Sequence, residues 1–226
     1  MRRRGPLFIV FPVMALLARA RLRLWPIVLA VVAATSVASA AGGELTDAEI
    51  AQLEAGHMVV RSEDVERAGR HYIGGVSYIM IDAPAAQVMA VLDDVRTYRD
   101  ILPRTRSVRW LGMGRNGDTL IELEQGNAIA HGKYAVRIRR DRSSRSDSSG
   151  LVRFWIDRSF SHDIADASGF FHVETEGDKT RLTYLVMVDL GPGVFAQMFE
   201  GRIRRAALST PELVKRYVES HPVPAG

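Results

Sequence analysis

From residue 71 onward, apolar and polar positions alternate singly through one short stretch after another. Residues 71–81 carry Tyr72, Ile73, Val76, Tyr78, Ile79 and Ile81 around Gly74-Gly75, which predicts a strand with a bulge at the glycines. Val108 and Trp110 alternate with Arg109, Ile121 and Leu123 with Glu122 and Glu124, and Tyr134, Val136 and Ile138 with Arg137 and Arg139. Val152, Phe154 and Ile156 follow the same rule, then Phe171 and Val173, then Leu182, Tyr184, Val186 and Val188. Asn116-Gly117 and Glu176-Gly177-Asp178 mark tight turns, His131-Gly132 reads as another, and 141–150 (DRSSRSDSSG) and 159–168 read as loops. A period of two in successive segments predicts an antiparallel sheet with one buried face.

Three stretches break that rhythm with helical spacing. After the first strand, Asp82 or Ala83 caps a short helix with Pro84 in its first turn and Val88, Val91, Leu92 and Val95 on one side. A second short helix carries Tyr98, Ile101 and Leu102 and stops at Pro103. Residues 191–219 read as one long helix: Phe195, Met198, Phe199, Ile203, Ala206, Ala207, Leu213, Val214 and Tyr217 fall on one stripe, with Arg202, Arg204, Arg205, Glu212, Lys215 and Glu219 elsewhere. Gly191-Pro192-Gly193 separates it from the strand before, and Pro211 kinks or interrupts it. Near the start of this region, Thr46 and Glu49 form a capping box for a helix over 44–56, and the charged residues 57–70 read as a linker or short edge strand. The fold class is α+β: a curved antiparallel sheet of about seven strands wrapped around the C-terminal helix, with two short helices after the first strand and an apolar pocket between sheet and long helix.

The first forty residues differ in kind. They hold six arginines and no acid, with apolar runs at about 5–18 and 24–37 and Ala38-Ser39-Ala40 after the second. That order predicts an export signal cut after Ala40, with a start at Met14 giving an ordinary leader; an uncleaved anchor is the alternative, although neither run reaches the roughly 20 residues of a spanning helix. Without this segment, thirty basic residues fall to 24 against 26 acids, so the remainder sits near −2 and offers no electrostatic case for nucleic acid. The expected organisation is a leader at 1–40, a helix and linker at 41–70, the ligand-binding domain at 71–220 and a tail at 221–226, in a periplasmic or secreted protein. The chain has no cysteine, which excludes disulfides, thiolate catalysis and cysteine-held metals.

Ile81-Asp82-Ala83-Pro84 through Val88, Val91 and Leu92, then Tyr98-Arg99-Asp100-Ile101-Leu102-Pro103, resembles the START-like (helix-grip) superfamily of polyketide cyclases, coenzyme Q-binding proteins and lipid-transfer domains. Tyr184-Leu185-Val186-Met187-Val188 with Gly191-Pro192-Gly193 is similar to that family's last strand and its passage into the long helix, and the match covers about 57–220. Met89, where many members carry an aromatic residue, and Pro211 depart from the pattern. The resemblance implies a helix-grip fold that holds an apolar ligand between the concave sheet and the long helix. The aromatic residues Tyr134, Phe154, Phe171, Tyr184, Phe195 and Phe199, with Met198, are the candidate lining, and Tyr98 and Trp110 are placed at the mouth. Each of these also serves as core, since burying one large apolar side chain stabilises by about 1.5–3 kcal/mol.

Chemistry of other kinds has thin support. Ser161-His162-Asp163 has the letters of a triad, but neighbours in sequence seldom meet in triad geometry, and a surface loop is the reading. His162, Asp163, His172 and Glu174 fit no standard metal spacing, Glu122 and Glu124 read as an outward strand face, and no nucleotide or hydrolase motif occurs. Arg202, Arg204 and Arg205 read as a solvated face, with a membrane surface as the alternative contact. The expectation is an exported lipid- or isoprenoid-binding or transport protein without catalytic residue, cofactor or metal, admitting ligand by movement of the helix or of 157–169. The alternatives are a cyclase/aromatase needing an inward acid or base such as His172 or Glu124, and a structural envelope protein with a filled core.

Overall fold

The charged stretch before residue 71 is a full strand of the sheet. A computed structural model describes residues 43–114, 116–126, 131–141, 149–192 and 194–222, with side chains from 198 in the last stretch. The expected leader, most of the 141–150 loop, the side chain of Phe195 and the end of the tail lie outside the described residues. The strands are β1 (Val59–Arg67), β2 (Arg70–Ile81), β3 (Thr105–Met113), β4 (Thr119–Gly126), β5 (His131–Asp141), β6 (Ser149–Ile156), β7 (Asp166–Glu176) and β8 (Lys179–Asp189). The helices are α1 (Asp47–Glu54), α2 (Ala85–Asp93), α3 (Tyr98–Ile101), α4 (Val194–Leu208) and α5 (Thr210–Ser220). One antiparallel sheet of eight strands runs in the order β1-β2-β8-β7-β6-β5-β4-β3, one strand more than the seven expected. His131 and Gly132 belong to β5 and not to a turn, because they pair with Gly126 and Gln125 of β4.

β1, read in sequence as a linker or short edge strand, is an edge strand, and an edge tolerates charge: Arg61, Glu63, Asp64, Glu66 and Arg67 sit on it, paired from Val59↔Tyr78 to Arg67↔Arg70. That pairing is continuous through Gly74-Gly75, so no bulge lies there. A Cβ on Gly74 would stand 1.9 Å from the Val186 carbonyl oxygen, and one on Gly75 2.0 Å from that of Arg61. The glycines are needed for close backbone approach on both sides of β2. The irregularities in pairing fall in β3 instead, between Thr105 and Ser107 and between Trp110 and Gly112.

The inner face of the sheet carries the main core. Ile73, Ile79, Ile81, Leu182, Tyr184, Val186, Phe171, Val173, Val152, Val136, Ile138, Ile121 and Leu123 pack there against Val88, Met89 and Leu92 of α2, Tyr98 and Ile101 of α3, and Leu208, Val214 and Val218 of the C-terminal helices. The outer face is not bare throughout, contrary to the one-sided pattern. At β1–β2 it is covered by α1, where Leu53, Val59, Val76 and Tyr78 form a second cluster. The capping box holds this helix: the Thr46 N–H donates to Glu49 Oε2 at 2.8 Å and the Glu49 N–H to Thr46 Oγ1 at 3.3 Å. Arg61 then grips Glu49 through Nε at 2.8 Å and Nη2 at 2.6 Å. α2 has Pro84 as its N-cap, without a side-chain cap, in place of Asp82 or Ala83.

The long helix is two helices. Proline has no N–H for the carbonyl four residues back, so the Ala207 carbonyl, left without Pro211, accepts from Thr210 Oγ1 at 2.7 Å. Ser209 Oγ donates in the same way to the Ala206 carbonyl at 2.9 Å. No helix among the described residues is long and apolar enough to cross a membrane.

Candidate functional site

The inner face gathers three of the aromatic residues singled out by the alternation. Phe171 and Tyr184 are neighbours across β7 and β8, and Phe154 lies one row along, where its partner Gly169 leaves room. Ring centroids are 4.6 Å apart for Phe171–Tyr184, 5.7 Å for Phe154–Phe171 and 5.9 Å for Phe154–Tyr184. A Cβ on Gly169 would meet the Leu185 carbonyl oxygen at 2.0 Å and Phe154 Cζ at 2.5 Å, so the ring of Phe154 rests over a position that must be glycine. Phe171 and Tyr184 are buried, whereas Phe154 is half-buried.

Three tyrosine hydroxyls enter this interior. Tyr184 reaches the neighbourhood of Thr210 at the start of α5. Tyr134 donates to Gln125 Oε1, and Gln125 Nε2 in turn donates to the Pro103 carbonyl at 3.1 Å and to Thr105 Oγ1 at 3.0 Å. Tyr98 donates to the Leu92 carbonyl at 2.8 Å. Burial pushes all three phenols well above the usual tyrosine range, so they stay protonated and act as uncharged hydrogen-bonding groups. Tyr98 therefore lies deep in the core and not at the mouth.

Trp110 and Met198 stand elsewhere. Trp110 pairs with the inward Ile121 but is 60% exposed on the edge strand β3, beyond the cover of the helices. Met198 is 70% exposed on α4. Phe199 is half-buried beneath Arg202, whose guanidinium carbon lies 5.9 Å from the ring centre. Of the stripe drawn across 191–219, Ile203, Ala207, Val214 and Tyr217 pack on the core; the break at Ser209 adds Leu208, Pro211 and Val218 to the packed side.

The imagined acid–base groups point away from the interior. His172 sits on β7 between the inward Phe171 and Val173, with Nδ1 3.4 Å from Glu174 Oε2 on the outer face. Glu124 alternates with the inward Leu123 and pairs with Arg106 at 3.5 Å, while Glu122 is held by Arg109 at 2.9 Å and Lys133 at 3.0 Å. In the 157–165 loop, His162 Nδ1 meets the Phe160 carbonyl at 2.8 Å and Asp163 exchanges hydrogen bonds with the Lys133 backbone, so no triad forms.

A cluster that the spacing did not suggest joins α4 to the sheet edge. Ligand-type atoms of Asp64, His71 and Glu200 lie within 4.8 Å of one another. The cation there is the protein's own: Arg204 Nη2 is 2.5 Å from Asp64 and 2.8 Å from Glu200. His71 contacts Glu66 at 2.9 Å and Glu200 at 3.5 Å, and these carboxylates raise its pKa above the ordinary histidine value. Its partners come from the β1–β2 hairpin and from α4, with Glu200 lying 129 residues beyond His71, which is why no local pattern announced it.

Two surface depressions are open. One, of about 450 Å³, is lined by Asn116, Gly117, Arg139, Arg140, Asp141 and Arg153; the other, of about 390 Å³, by residues including Asp82, Gln87, Lys179 and Lys215. Neither is lined by any of the nine candidate residues; Phe171 and Tyr184 themselves are buried.

Residues 81–209, more than half of the chain, match the family described as polyketide cyclase/dehydrase and lipid transport. Among solved structures, a STAR-related lipid transfer protein from Xanthomonas axonopodis is 14% identical with a TM-score of 0.59, the match covering 72% of this chain and 93% of that one. An aromatase/cyclase from Streptomyces sp. R1128 is 19% identical with a TM-score of 0.53, over 75% of this chain and 99% of that one. At these identities the likeness shows the fold. No curated protein matches the chain.

Proposed function

The chain belongs to the polyketide cyclase/dehydrase and lipid transport family, and from that we propose that it binds and carries an apolar small molecule, a lipid or isoprenoid, between the inner sheet face and the C-terminal helices. The observation that carries this reading is the chemistry of that face. Aromatic and aliphatic side chains dominate it, the phenols near the aromatic cluster are held protonated, Arg140 at the end of the row is tied to Asp93, and His172 and Glu124 face the other way. A cyclase would need an acid or base among the inward groups, so the same observation weighs against that alternative.

Phe171, Tyr184 and Ser77 are buried, so binding at that face begins with movement. Among the described side chains, α4 packs on the core through Ile203, Ala207 and Leu208, and Glu200 and Arg204 tie it to β1–β2 through exposed or half-exposed ion pairs. Such ion pairs are weak in water and give way more readily than the buried contacts of Val214 and Val218 on α5. The six arginines, two apolar runs and Ala38-Ser39-Ala40 of the first forty residues support export with removal of residues 1–40, which would give a periplasmic or secreted carrier.

The test is native mass spectrometry with lipid extraction on protein purified from its own cells. A stoichiometric apolar ligand on a chain lacking its first forty residues is the expected result. A ligand-free protein that also ignores a panel of neutral and anionic lipids would overturn the carrier and favour a filled structural core. Retention of residues 1–40 would overturn export by cleavage alone.

A further inference from the structure

Across the inner face, cross-strand partners line up as Ser77, Tyr184, Phe171 and Val152. Ser77 is the polar member of β2's inward set, between Ile73 on one side and Ile79 and Ile81 on the other, all three of which lie in the main core. It is 0% exposed, and its Oγ has no hydrogen-bond partner. A buried hydroxyl without a partner is destabilising, and it sits cross-strand from Tyr184 of the aromatic cluster, whose hydroxyl lies toward Thr210 at the start of α5. The tyrosine hydroxyls of the cluster's surroundings are taken, Tyr134 by Gln125 and Tyr98 by the Leu92 carbonyl.

We propose that Ser77 is the polar anchor of the ligand site, and that the ligand is an uncharged apolar molecule bearing an oxygen function, a hydroxyl or carbonyl, that hydrogen-bonds to Ser77 Oγ. This rests on the carrier reading above and deepens it. The hydroxyl both donates and accepts, so either oxygen function satisfies it. A carboxylate or phosphate headgroup is disfavoured: the charged residue along this row is Arg140, cross-strand from Val152, and it is half-exposed and bound to Asp93 of α2. An anion beside Ser77 would lie in an apolar interior without a counter-charge.

The test uses three isoprenoids of one chain length, farnesol, farnesene and farnesyl phosphate, each displacing N-phenyl-1-naphthylamine from the wild-type protein and from Ser77→Ala. Farnesol is expected to bind about tenfold more tightly than farnesene or farnesyl phosphate, and Ser77→Ala to bring farnesol within about twofold of farnesene while leaving farnesene unchanged. Ligand-free Ser77→Ala is expected to melt at or above the wild-type temperature, because it loses an unsatisfied group. Equal binding of farnesol and farnesene by the wild type, a preference that survives Ser77→Ala, tightest binding of farnesyl phosphate, or a clear drop in the melting temperature would each overturn the anchor and leave the carrier standing. Failure of all three isoprenoids and of the naphthylamine probe to bind the wild type would overturn both.

Discussion

At the scale of single residues, burial separates side chains that the pattern treated alike. Phe171 is 3% exposed and touches two aromatic rings, so Phe171→Ala should cost about 3–5 kcal/mol in a denaturant titration, whereas Met198→Ala should stay within about 0.5 kcal/mol. A loss below about 1 kcal/mol at Phe171 would mean that the aromatic cluster is loosely packed. Glycines divide in the same way. Gly169→Ala drives a Cβ into the Leu185 carbonyl oxygen at 2.0 Å and should be severely destabilising. Gly201→Ala meets nothing within 4 Å on α4 and should add about 0.5–1 kcal/mol. The alternation made Phe154, Phe171 and Tyr184 legible because strand period fixes the face. Ser77 was passed over although it occupies an inward slot of β2, since a lone polar letter in an apolar run carries no sign of whether its hydroxyl is satisfied.

At the scale of elements, the sequence read well wherever a local rule governs and poorly wherever a tertiary contact does. Thr46 and Glu49 announce α1, and Pro211 announces a break, because a capping box and a missing N–H are local facts. β1 stayed open between linker and short edge strand because pairing with β2, not its own apolar pattern, makes it a strand. Its partner contact has a pH signature. Arg61 holds the Glu49 carboxyl down to about 2 from 4.5, so this contribution to α1 docking is present above pH 4.5 and fades as pH falls from there toward 2. Amide exchange in α1, corrected for intrinsic rate, should rise over that window, and Arg61→Ala should remove the rise; an unchanged profile in the variant would place the transition elsewhere. His71 works in the opposite sense. Its pKa is raised by Glu66 and Glu200, so its hold on α4 is complete below pH 6.5 and declines as pH climbs through the raised value, with Asp64 and Arg204 alongside. Corrected exchange in the first half of α4 should therefore increase above neutrality, and His71→Gln should flatten that increase.

At the scale of the whole molecule, these attachments imply an order of opening. α2, α3 and α5 are fastened by the buried core, while two candidate covers carry polar ties beside their apolar contacts: α4, through Arg204 and Glu200 next to Ile203, and the 157–165 loop, through Asp163 and the Lys133 backbone next to Ile164. The depth of the face is a matter of packing density, which no periodicity encodes, and so the burial of Phe171 and Tyr184 was invisible in sequence even though their face was not. Which cover moves is decided by rates. If α4 is the gate, Arg204→Ala should speed uptake of N-phenyl-1-naphthylamine several-fold in stopped flow, with the final fluorescence amplitude unchanged, because the loss of ion pairs to Asp64 and Glu200 favours opening without touching the inner face. Asp163→Ala, which frees only the loop from Lys133, should then leave the uptake rate within about twofold of wild type. The reverse pattern, a fast Asp163 variant and an unaltered Arg204 variant, would transfer the gate to the loop and leave α4 as a fixed wall, whose ion pairs then serve only to hold the edge strand β1 in place.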